Sequence, residues 1–280
     1  TYDVALEAQP LSLTTLARSY PAMPFRGVVT GPIRAVGHAD SLRVDATLDG
    51  AAGRMRWEGF VDTFEPSYAA HGTLSAERLD LRALLDDARA PQTTLAFTSR
   101  VDMRGSGPTD LAGALGLSLA RSVVDGTRVF GGAVQLAAGD GRLRVDTLDV
   151  EGTPGRLRGR GALGLTAAVA TDSLRLTFDV DSLGGLRRWI APVRSDVADG
   201  DAARPDSLDG GVRVSATLVG TLDTARTSPG LTVRARLDGE ELVYGATRVR
   251  AATVQVGVAD ALRSAVVQGT AALDSVVAGG

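Results

Sequence analysis

The sequence predicts an all-β protein: a long, curled antiparallel sheet built of multi-strand repeats, with one or two short helical turns. Three observations lead there. Apolar residues recur at every second position through most of the 280 residues, the period that puts them on one face of a strand. Glycine-containing turn signals separate these runs at hairpin spacing. Long stretches of helical periodicity between the runs are missing, which argues against a parallel sheet with crossover helices.

The runs that define the pattern are explicit. Leu42, Val44, Ala46 and Leu48 alternate with Arg43, Asp45, Thr47 and Asp49. Leu174, Leu176, Phe178 and Val180 alternate with Arg175, Thr177, Asp179 and Asp181. Val212, Val214, Ala216 and Leu218 repeat it, as do Leu231, Val233, Ala235 and Leu237. The same reading places strands near residues 2–9, 26–36, 41–49, 54–63, 68–76, 93–104, 113–120, 127–137, 142–151 and 156–165. Further strands fall near 173–181, 211–219, 231–238, 247–258 and 265–274.

Asp-Gly pairs at 49–50, 125–126, 140–141, 199–200, 209–210 and 238–239 are expected at hairpin turns, because a type I′ turn needs positive φ at both central residues. Leucines three apart (Leu13 and Leu16, Leu81 and Leu84, Leu183 and Leu186) follow a strand in each case. They predict helical turns at 79–88 and 183–191, with Pro21, Pro91 and Pro192 closing each unit. The run Leu42–Gly50 returns as Leu231–Gly239, so the repeats contain several strands at an irregular period. Residues 1–192 are read as groove-forming β repeats, 193–211 as a polar, aspartate-rich loop, and 212–280 as a continuing repeat.

Composition narrows the function classes. A net charge of −3 provides no field to attract nucleic acid. All 30 basic residues are Arg, and Lys and Asn are absent, a pattern read as coding bias. Without Cys there is no disulfide, thiolate metal site or cysteine nucleophile. No stretch reaches the roughly 18 apolar residues of a membrane-spanning helix. The chain opens in mid-alternation at Thr1-Tyr2-Asp3-Val4, so it is expected to be an internal piece of something longer.

Candidate chemical motifs dissolve on inspection. Gly159, Gly161 and Gly164 match a dinucleotide-loop spacing, yet Leu157, Gly159, Gly161, Leu163 and Leu165 fall on every second position, as in a strand interior. His38 and His71 have no neighbours at metal-ligand spacing. No G-x-S-x-G elbow and no D-x-D-x-D-G calcium loop occurs. Arginines two apart (54/56, 142/144, 156/158/160, 234/236, 248/250) read as solvated outer faces. There they pair across strands with acids such as Asp45, Asp146 and Asp149 at about 0.2–1 kcal/mol each. No enzyme, cofactor or metal is therefore expected.

The apolar face must be covered by a second sheet, by barrel closure or by a guest. Aromatic residues number only 12 in 280, and the inward positions are mainly Leu, Val, Ala and Gly. Small aliphatics on a curled sheet point toward an open groove for acyl chains. The lining positions would be Leu42, Val44, Ala46, Leu48, Leu174, Leu176, Phe178, Val180, Val212, Val214, Leu231, Val233 and Leu237.

Three segments carry a family likeness: Gly72–Leu85, Phe25–Gly31 leading into Leu42–Gly50, and Gly141–Leu148 leading into Leu157–Leu165. In repetition and order they resemble the AsmA-like / translocation and assembly module B (TamB) proteins of diderm bacterial envelopes. The resemblance implies a β-taco groove in the periplasm that moves phospholipid between inner and outer membrane, or that assists outer-membrane assembly. It further implies phospholipid acyl chains as partners, with an outer-membrane barrel protein as a second, and membrane association through parts of the chain not present here. A structural or adhesive β-repeat stalk of the cell surface is the alternative of a different class.

Overall fold

Sixteen strands in one antiparallel sheet realise the alternation. The structure is a computed structural model and describes residues 1–19, 25–64, 67–85, 87, 90–107, 109–153, 155–167, 172–181, 183, 208–223, 230–244 and 247–278. The chain divides into two compact units, Thr1–Val150 and Glu151–Gly280.

Unit 1 contains β1 (Tyr2–Ser12), α1 (Leu13–Ser19), β2 (Val28–His38), β3 (Ser41–Gly50), β4 (Gly53–Asp62) and β5 (Tyr68–Leu79). It continues with α2 (Leu81–Leu85), β6 (Thr93–Gly105), β7 (Ala112–Leu119), β8 (Ser122–Val124) and β9 (Thr127–Gly139), and β10 (Arg142–Gly152) crosses into unit 2. Neighbours in sequence pair in space, except that β7 pairs with β9 and the short β8 bridges β6 and β9. A three-residue strand is too short to show a period, so β8 is invisible to pattern reading.

Two turns behave as expected and three do not. Asp125-Gly126 and Asp140-Gly141 both have positive φ, 45° and 77° in the first and 51° and 68° in the second. That is the type I′ geometry which Asp-Gly supplies with little strain. Asp49-Gly50 instead ends β3, where Gly50 pairs with Gly53 and the turn falls on Ala51 and Ala52. Asp209-Gly210 lies at a register shift within a strand of unit 2, and Asp238-Gly239 lies inside another. The pair at 199–200 is outside the described residues.

Helix α2 forms where the leucine spacing predicts a turn. Asp80 caps it: its Oδ1 accepts the Arg82 N–H at 3.0 Å and the Thr93 N–H at 3.2 Å. Leu84 then enters a buried cluster with Ala76 and Leu79, packed by Met55, Leu81, Leu95 and Phe97. The same spacing at Leu13 and Leu16 also forms a helix, α1, in addition to the helical turns predicted at 79–88 and 183–191. Ser12 Oγ caps α1 by accepting the Thr15 N–H at 3.2 Å. The predicted turn at 183–191 lies outside the described residues, apart from Leu183.

Unit 2 contains β11 (Gly155–Gly164), β12 (Ser173–Val180), β13 (Leu208–Val219), β14 (Thr232–Tyr244), β15 (Thr247–Ala259) and β16 (Val266–Ala278). Each pairs antiparallel with the next. β13 begins at Leu208, so the last residues of the expected 193–211 loop are strand; 193–207 lie outside the described residues. The strand reading of Gly159, Gly161 and Gly164 holds, since all three sit in β11. One end of the unit is closed by Thr221, fully buried, whose hydroxyl donates to the Gly164 carbonyl at 3.1 Å. Leu163, Leu174 and Leu231 are buried at the same end.

Candidate functional site

Register decides which side chains share a face, because residues directly opposite in an antiparallel pair point the same way. In unit 1, Val44 stands between Ala35 of β2 and Gly59 of β4. That row continues through Gly72, Val101 and Leu115 to Leu136 of β9. The next row runs from Leu6 through Ile33, Ala46, Trp57, Leu74, Ser99 and Leu117 to Val134. Eight strands at about 4.8 Å spacing make this face about 34 Å across.

Unit 2 repeats the arrangement with hydrocarbon alone. Leu176 aligns with Gly159, Ala216, Ala235, Val256 and Gly269. Phe178 aligns with Leu157, Val214, Leu237, Val254 and Ala271. No polar side chain stands in either row, and six strands give a width of about 24 Å.

The structure therefore brings the predicted lining positions onto shared faces within each unit, but not with equal exposure. Leu42, Val44, Ala46, Leu48, Leu176, Phe178, Val214, Val233 and Leu237 are half-buried. Leu174, Val180 and Val212 are buried, and Leu231 precedes β14 and is buried as well. Those four fill the ends of the face. A sandwich core would bury the middle positions too; here the middle rows keep part of their surface accessible.

The opposite face is charged and solvated. Asp49 accepts Arg54 Nε at 2.7 Å, and Arg144 Nε reaches Asp146 at 2.8 Å. In unit 2, Asp179 lies between Arg158 and Arg213, the latter at 2.6 Å. Its carboxyl is held below the usual carboxylate range, chiefly by the hydrogen bond from Arg213. Asp238 is lowered in the same sense, first by its hydrogen bond from Arg236.

Arg248 and Arg250 are both exposed, and Val249 between them pairs with Leu242, whose side chain lies against Gly239 of the apolar face.

Two polar groups on the lining face escaped the sequence reading. Trp57 Nε1 and Ser99 Oγ are buried and have no hydrogen-bond partner among the described residues. Trp57's parity was legible, since it stands opposite Arg54 and Arg56. Its indole lies over Gly72, where an added Cβ would meet the ring at 3.0 Å. No group of three or more His, Asp or Glu able to hold a metal occurs among the described residues. No helix there is long and apolar enough to cross a membrane.

No protein-family model, curated protein or solved structure matches the chain.

Proposed function

We propose that this chain is a non-enzymatic segment of a periplasmic envelope protein whose apolar sheet face shields phospholipid acyl chains in transit between inner and outer membrane. One observation carries the reading: mainly aliphatic side-chain rows, with Gly among them, cross eight strands of one unit and six of the other, and their central positions, Ser99 apart, are only half-buried. Aliphatic contact is non-directional and roughly proportional to area, so a hydrocarbon tail bound there can shift along the row without breaking a specific contact.

Lipid mass spectrometry on the purified chain tests it. Co-purifying acyl lipid is expected, with roughly tenfold less after Val44→Asp, Leu176→Asp or Val233→Asp, since each puts a charge against the tail. Arg43→Asp and Thr232→Asp, on the polar face, should leave lipid unchanged. Equal losses from both sets, or no lipid on the unaltered chain, would refute the proposal.

A further inference from the structure

Buried polar side chains are nearly always hydrogen-bonded, because leaving one unpaired forfeits its hydration without return. Trp57 Nε1 and Ser99 Oγ violate this together, on one face of one unit. They occupy the same register row, Trp57 on β4 and Ser99 on β6, with Leu74 of β5 between them. Ser99 is 3% exposed. Both can donate, Trp57 through its indole N–H and Ser99 through its hydroxyl. The flanking members of the row, Ala46 and Leu117, have no side-chain hydrogen-bonding group to offer.

We infer that Trp57 and Ser99 form the polar grip of the unit 1 face, donating hydrogen bonds to the ester oxygens of an acyl lipid whose tails lie along the aliphatic rows. The inference rests on the proposed lipid role and narrows its substrate class. An ester supplies acceptors and no donor, the complement of two unpaired donors. Pure hydrocarbon would leave both groups unsatisfied, and an ether-linked tail keeps its shape but lacks the carbonyl acceptor. Unit 2 has no such group in its middle rows, so linkage selectivity belongs to unit 1.

The test offers the full chain equal amounts of ester-linked dipalmitoyl phosphatidylcholine and its ether-linked counterpart, with bound lipid quantified by mass spectrometry. The unaltered chain is expected to favour the ester about fivefold, the value of a buried hydrogen bond or two. Trp57→Phe keeps a ring over Gly72 and removes the N–H; Ser99→Ala removes only the hydroxyl. Each should move the ratio toward parity by lowering the bound ester-linked lipid. Parity in the unaltered chain, or a preference untouched by both substitutions, overturns the inference and leaves the lipid role standing. Binding of neither lipid overturns both together.

Discussion

The two units write the same period-two pattern and differ in what they place on its two faces. In unit 1 the apolar face carries Trp57 and Ser99 as polar exceptions, and its polar face mixes signs. Arg43, Arg54, Arg56 and Arg100 stand there among Asp45, Asp49, Glu58, Glu77 and Asp102. In unit 2 the middle of the apolar face is hydrocarbon throughout. Its polar face gathers Arg156, Arg158, Arg160, Arg175, Arg213, Arg234 and Arg236 against Asp179, Asp238 and Glu240. The lesson is that burial constrains one side of the sheet tightly and leaves the other free. A charge placed in the aliphatic rows costs several kcal/mol, whereas exposed ion pairs contribute about 0–1 kcal/mol each.

The largest expected effect puts a charge at the buried end of the unit 2 face away from Thr221. Val180→Asp buries a carboxylate at a position 3% exposed, with Val212 opposite. It should cost more than about 3 kcal/mol, or abolish folding of the unit. Chemical denaturation followed by circular dichroism reads the loss. Asp179→Val, one residue back on the polar face, should cost far less, because its carboxylate is bonded on a solvated surface. Similar losses from both would break the contrast between the two sides.

The corresponding weak point of unit 1 is the cluster under α2. Leu84→Ala empties a side chain 4% exposed against Ala76, Leu79, Met55 and Phe97, at about 2–5 kcal/mol. Amide exchange should rise in β4–β6, which frame that cluster. A smaller effect is expected at the closing contact of unit 2. Thr221→Val leaves the Gly164 carbonyl and the Asp223 N–H without the hydroxyl they share, at about 1–3 kcal/mol.

These sites also mark how far the sequence could be read. Fifteen strands were legible because their period survives any packing, and Asp125-Gly126 and Asp140-Gly141 were legible because local φ requirements fix them. Asp238-Gly239 was misleading: Arg236 and Thr253 engage the Asp238 carboxylate at 2.8 Å and 3.0 Å, and the strand runs on past it. The lining positions were legible as a parity. Which of them are buried was not, since Leu174 and Val180 are covered at the strand ends while Leu176 and Phe178 between them are not. The unpaired state of Trp57 and Ser99 is a property of neighbours brought together by folding, and no spacing announces it.

The smallest effect separates the polar faces by pH. Asp179 and Asp238 are held below the usual carboxylate range by arginine hydrogen bonds. A carboxyl whose folded-state pKa is depressed stabilises the fold above its unfolded value, about 3.9, and loses that contribution as pH falls through the folded value. Unit 2 should therefore lose protection in amide exchange as the pH is lowered below about 4, and Asp179→Asn should remove part of that dependence. Unit 1 has a lowered carboxyl of its own at Asp110, held chiefly by the N–H and hydroxyl of Ser106 in the β6–β7 loop. Its acid response should concentrate at that loop, while that of unit 2 spreads over β12–β14 and the β15–β16 turn, where Asp260 is lowered chiefly by its hydrogen bond from Arg263. Added salt should weaken the arginine-linked response of unit 2 by screening and leave the Asp110 loop, bonded by neutral donors, nearly unchanged. An acid response equally salt-sensitive in both would mean that the arginine excess of unit 2 is not what distinguishes its polar face.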